Sequence, residues 1–206
     1  MSLSISLTPE QAEQRFVKLG ISSRFTEKER EQFTTTPVVV KQGGIFGFPT
    51  PIDNSALTLL EIKRIVGTDP SRQPCFFEHP WYADEAFMNT PCPPGWHFLH
   101  MDVLPESINR STDYVRSLNV DGLELPAAVE VVLMLFLHFA GCGEQFLLKK
   151  HTWCADRASL DRIVTVGAFG RNGVFVSGHP AGFSSRGLGV CAKVLNVPPA
   201  GLEISG

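Results

Sequence analysis

Pro126-Ala-Ala-Val-Glu-Val-Val-Leu-Met-Leu-Phe-Leu-His-Phe-Ala140 is the longest apolar stretch of the chain, interrupted only by Glu130 and His138. Proline near its start suits the first turn of a helix. The run from Ala127 to Ala140 falls short of the roughly 20 residues that a bilayer span needs. It therefore predicts a helix buried in a protein core, and no membrane association. The two ionisable residues suit the ends of that helix, a carboxylate in the first turn and an imidazole in the last. Eight residues separate them, about 12 Å along the axis, too far for direct pairing. Structural roles are the plain reading of both. Glu130 facing a cavity as an acid or base is the other.

Downstream the pattern turns to β, with strands predicted over 145–154, 162–169, 174–177 and 189–195. Asn172-Gly173 lies between two of these runs and is the strongest hairpin signal in the chain, since both residues tolerate the positive φ of a type I′ turn. A C-terminal antiparallel meander follows. Upstream, Trp96 to Leu104 alternates as a central strand, with Trp96, Phe98 and His100 on one face and His97, Leu99, Met101 and Val103 on the other. A polar helix is expected from Ser107 to Leu118 and a turn at Asn119-Val-Asp-Gly122.

Nearer the start, Thr8 caps a short helix with Pro9 at its first position and Gly20 at its end. Thr26-Glu-Lys-Glu29 is a capping box opening a second helix to about Thr34. Pro37 to Val40 is a short β-type run. Asp53 or Asn54 is expected to cap a further helix ending near Gly67, with Leu57, Leu60, Ile62 and Ile65 on its buried side. The aromatic, proline-punctuated segment from Asp69 to Pro94 predicts little regular structure. The fold class that results is α+β, with N-terminal helices and one buried apolar helix packed on a mainly antiparallel sheet with a C-terminal β-meander. Residues 1–206 read as a single compact domain in which 1–36 form a helical preface.

Composition agrees with a globule. Of 206 residues 43% are hydrophobic and 19% charged, a balance unlike that of disordered, collagen-like or membrane-filling chains. Net charge is −3 with a pI of about 6.1, which argues against a nucleic-acid partner. The charge is uneven: 71–142 carries three basic and nine acidic groups, 143–206 seven and four. Lys149, Lys150, Arg157, Arg162 and Arg171 form the one possible basic patch. The five cysteines are odd in number and lack a C-x-x-C pair, which fits reduced thiols in a cytoplasmic protein. No secretory leader is read in the first thirty residues.

No stretch identifies an activity. His97 and His100 point to opposite faces of a strand and cannot share one ion unaided. Cys75, Cys92, His79 and His97 lack the tight ligand pair of a zinc site, so neither metal nor cofactor is expected. The glycines of 43–47 lack the spacing and lysine of a nucleotide loop. His151-Thr-Trp-Cys154-Ala-Asp156 is chemically dense, but Cys154 reads first as a small buried hydrophobe and only then as a nucleophile, with His179 or His97 as its base. The loop 178–189 gathers His179, Ser184, Ser185 and Arg186 and is the best ligand-loop candidate. Two functions follow. The first is a non-enzymatic binding or interaction protein, meeting a small molecule or a protein partner through the aromatic-proline segment around Trp81, with His97, and through the 178–189 loop. A homodimer across the aromatic surface is one form of this. The second is a small-molecule enzyme whose cleft gathers Cys154, His179, Arg186 and His97.

Overall fold

The structure is a computed structural model and describes residues 5–34, 44–117 and 123–195. The expected run 37–40, the turn 119–122, Gly43 and Leu118 lie outside the described residues.

Strand β1 (Ile5–Ser6) leads into α1 (Pro9–Lys18), which Thr8 caps as expected, its hydroxyl accepting from Gln11 N while the Gln11 side chain returns to Thr8 N. Helix α2 (Glu27–Thr34) opens on the expected Thr26/Glu29 box, and Glu29 Oε1 also accepts from Ile52 N at 2.6 Å, tying this helix to the chain after β2 (Ile45–Thr50). Helix α3 (Leu59–Val66) is a correction. It starts at Thr58, whose hydroxyl accepts from Glu61 N, because Asp53 and Asn54 are engaged elsewhere: Asp53 in a turn with Ser55, Asn54 on the Cys92 carbonyl. The later start exposes Leu60 and buries Leu59 with Ile62. Single 3₁₀ turns are the only helices described between α3 and β3 (Gly95–His100), in keeping with the prolines there. Helix α4 (Thr112–Ser117) is shorter than expected, beginning after a 3₁₀ turn at Pro105–Ser107.

β4 (Leu123–Glu124) precedes α5 (Ala128–Cys142), the predicted apolar helix. Every residue from Ala128 to His138 is buried, and the helix ends at Gly143, left-handed at φ 76°. The meander is β5 (His151–Ala158), β6 (Arg162–Gly170) and β7 (Gly173–His179), antiparallel throughout. The turn between β6 and β7 differs in detail. Its two loop residues are Arg171 and Asn172, and the positive φ falls on Gly173, at 91°, where an added Cβ would meet the Cys75 carbonyl at 2.5 Å. The expected strand 145–154 begins only at His151, because Gln145 turns aside to the Gly170 carbonyl and Lys150 N closes a turn on Leu147.

The expected last strand breaks in two. β8 (Leu188–Gly189) runs parallel to β5, and β9 (Lys193–Val194) crosses to the other side of α5. There are accordingly two mixed, mainly antiparallel sheets rather than one: β1-β2-β3-β9-β4, with β3 central as expected, and β7-β6-β5-β8. Helix α5 packs on β2 and β3 of the first, on β5 and β6 of the second, and on α1 and α3. A helix that is apolar on every side apart from Glu130 and His138 is enclosed in this way because it has no polar face to give to water. The fold is α+β. Among the described residues no helix is long and apolar enough to cross a membrane.

Candidate functional site

The first turn of α5 carries a buried charge cluster. Ala127 has no side chain to cap the helix, so two carboxylates do it: Glu130 Oε2 accepts from Ala127 N at 2.7 Å and Asp156 Oδ2 from Ala128 N at 2.6 Å. The other Glu130 oxygen receives both His97 Nδ1, at 2.7 Å, and Lys193 Nζ, at 2.6 Å. Burial alone would raise the Glu130 carboxyl, but the bonds and charges of His97 and Lys193 outweigh it and hold the pKa at about 2. Asp156 moves the other way, raised chiefly by burial, with the neighbouring Glu130 charge adding to it. His97 Nε2 lies 2.9 Å from both Thr50 Oγ1 and the Pro93 carbonyl, and the Thr50 hydroxyl itself donates to Pro93 O at 2.6 Å. Both ring nitrogens thus lie within hydrogen-bond distance of oxygen partners.

Cys92 Sγ stands 3.7 Å from His97 Nε2, which sets thiol, imidazole and carboxylate in the order of a thiol enzyme. The chemistry does not follow. The Cys92 thiol is fully buried and pushed well up by burial and then by Glu130, and its imidazole already has two closer oxygen partners. The cluster instead fastens β2, β3, β9 and the start of α5 to one carboxylate. His97 is therefore a buried structural group here rather than a contact residue: its side chain is 2% exposed. Glu130 takes the structural reading of the two that its sequence leaves open. Its partners, 33 and 63 residues away, carry no signal in sequence; the lone acid in an apolar helix is the only hint.

Cys154 is likewise corrected as a nucleophile. It faces α5 in the main core with no exposed surface, and its thiol is pushed well above the usual range by burial, then by Asp156. His179 lies on the other face of the sheet, edge-on to Trp153, the strand neighbour of Cys154, so these two never meet. The aromatic segment also turns inward. Tyr82 and Phe87 are buried; Trp81 is half-buried, with its indole N–H on the Val176 carbonyl at 3.1 Å and its ring over Gly178. The basic patch is partly neutralised, Lys150 by Asp102 and Arg157 by Asp161.

The outer face of the second sheet, opposite α5, is covered in part: Trp153 and Ile163 are fully buried in a second apolar cluster with Leu188, Val190 and Ala192, while His151, Phe175, Ser177 and His179 stay half-buried. The register aligns His151, Gly167 and Phe175 in one row, Trp153, Thr165 and Ser177 in the next, and Ile163 with His179 in a third. The loop after β7 closes one side of it. Thr112 N and Oγ1 both donate to the Ala181 carbonyl, at 3.2 and 3.0 Å, and His151 N bonds the Gly187 carbonyl at 2.7 Å, so the loop is anchored at both ends. Between the anchors Phe183 stacks on His179, with centroids 4.4 Å apart and planes at 9°, while Ser184 and Arg186 stand exposed and Ser185 half-buried. Phe77 stacks on Phe175 at the far side.

Two buried polar atoms on this face, His151 Nδ1 and Thr165 Oγ1, have no hydrogen-bond partner. Such atoms are uncommon in folded proteins and each calls for a cause. The imidazoles are neutral at pH 7: His151 is lowered to about 4 by burial and then by His179, and His179 is lowered by burial and then by Arg162. Two neutral rings, a hydroxyl and an exposed aromatic face can bind, but they supply no activated nucleophile. Of the predicted loop residues, His179 stands on this face against Phe183, and Ser184, Ser185 and Arg186 follow in the same loop; His151 and Thr165 share the face unforeseen. No protein-family model matches the chain, and no curated protein or solved structure matches it either.

Proposed function

We propose that this chain is a non-enzymatic, cytoplasmic small-molecule-binding domain whose site is the outer face of the second sheet, rimmed by the loop 178–189. The observation that carries the reading is the open His179–Phe183 stack beside the two unpartnered polar atoms, His151 Nδ1 and Thr165 Oγ1. The ligand class it suits is a planar heteroaromatic compound: a flat ring to stack on Phe183, ring nitrogens or amide groups for the imidazoles, and an acidic substituent towards Arg186. Reduced thiols support the compartment, since all five cysteines are free and four are buried. A thiol enzyme is the weaker reading, because Cys92 and Cys154 are both sealed in the core.

The test is a screen of planar heteroaromatic carboxylates and amides by NMR, observing the histidine and phenylalanine ring protons. Ligands are expected to shift His151, His179 and Phe183 together, and Phe183→Ala to weaken binding about fivefold, the worth of one aromatic stack. Hits that shift rings elsewhere and spare these three refute the assignment.

A further inference from the structure

The C-terminal end of α5 holds a second group of side chains, untouched by the function proposed for the outer sheet face. His138 and Cys142 are four residues apart, hence on one side of the last helical turn. Gly143 then reverses the chain in its left-handed conformation, which brings Glu144 back towards them. One ligand atom from each of His138, Cys142 and Glu144 lies within 4.8 Å of the others.

We propose that these three residues bind a borderline divalent transition metal, Zn²⁺ in class, with the fourth position open to solvent. The convergence itself carries the case: an imidazole, a thiol and a carboxylate meet at one helix end, the ligand types that zinc takes. Cys142 Sγ lies beside the ring, 3.5 Å from His138 Nδ1 and 3.7 Å from Nε2, and binding turns this exposed side chain about χ1 towards an ion on the Nε2 lone pair.

The ring is also held in a ligand-ready form. Its Nδ1 lies 3.3 Å from the Glu144 carbonyl, and a donor hydrogen bond there leaves the Nε2 lone pair for the metal. Phe46 and Phe146 meet the ring edge-on, at 5.8 and 5.1 Å, and fix its plane. The back of the site is apolar, while Cys142 and Glu144 are exposed at its mouth. The side-chain cations at this helix end are engaged with its carbonyls: Arg15 Nη1 donates to the Leu137 carbonyl at 3.0 Å, and Lys18 Nζ to Ala140 O at 3.2 Å. A nitrogen, sulfur and single carboxylate set selects zinc-like ions over Mg²⁺ or Ca²⁺.

The experiment titrates Co²⁺ into the metal-free full chain and reads the near-ultraviolet sulfur-to-cobalt band together with the intense visible bands of a tetrahedral ion. One equivalent is expected to develop both, and Zn²⁺ to displace them. Cys142→Ser is expected to abolish the sulfur band, and Glu144→Gln to weaken binding about tenfold or more; both positions are exposed, so the fold survives either change. Thiol labelling of the native chain adds a second reading: Cys142 reacts alone, and Zn²⁺ protects it. Absence of a sulfur band at saturating Co²⁺, its survival in Cys142→Ser, or labelling of Cys142 that Zn²⁺ leaves unchanged overturns the proposal.

Discussion

Replacing Glu130 by Gln tests the charge cluster at the start of α5. Glutamine has the shape of a protonated glutamate, so the variant removes the charge and little else. The folded carboxyl sits at about 2 against an ordinary 4.5. That depression corresponds to stability on the order of 3 kcal/mol at neutral pH. The independent expectation for unpairing a buried ion pair is about 3–5 kcal/mol, which agrees. The sign follows from the direction of the shift: a lowered folded value contributes stability that is fully present above pH 4.5 and is lost as the pH falls from 4.5 towards 2. Urea unfolding of both proteins is expected to show a gap of about 3 kcal/mol at pH 7, narrowed by roughly 1 kcal/mol or more at pH 3.5. A gap below about 1 kcal/mol at pH 7, or one that does not change with pH, refutes the electrostatic account of the cluster.

Four histidines, His100, His138, His151 and His179, are all lowered chiefly by burial, so their protonation favours the unfolded chain; stability is expected to be fullest above pH 6.5 and to fall towards pH 4, visible in thermal melts, with His151→Phe flattening part of the slope. Gly173→Ala forces a Cβ to within 2.5 Å of the Cys75 carbonyl at a positive φ, and chemical denaturation is expected to show a loss of about 2 kcal/mol or more. Cys154→Ser places a hydroxyl in the apolar core and is expected to cost about 1–3 kcal/mol in urea unfolding while leaving ligand affinity at the outer face unchanged; a selective loss of binding counts against the site as drawn.

Features written in neighbouring residues are legible from sequence. The caps at Thr8 and Thr26, the buried helix after Pro126 and the glycine stop at Gly67 each depend on contacts within a few positions, and each is found where the residues indicate. Leu60 is misread because the start of α3 depends on Asn54 being drawn to the Cys92 carbonyl, a contact across 38 residues. The aromatic segment misleads for a related reason. Rings between prolines look like a sticky surface, but composition does not say which way they turn, and here Tyr82 and Phe87 turn into the core. At the candidate site the loop residues could be read as polar groups on a long connection. His151 and Thr165 could not, because only the register of three strands puts them beside His179.

The order of the first sheet also bears on how the protein is made. β9 lies between β3 and β4, both of which leave the ribosome well before it. Until it arrives, the facing edges of β3 and β4 have no partner and Glu130 lacks its ammonium counter-charge. A nascent chain stalled anywhere before Lys193 therefore presents unpaired strand edges beside an apolar helix, the kind of surface that chaperones hold and that aggregates form on. The last described strand acts as a zip that closes only when synthesis has passed it, so folding of this sheet waits on translation.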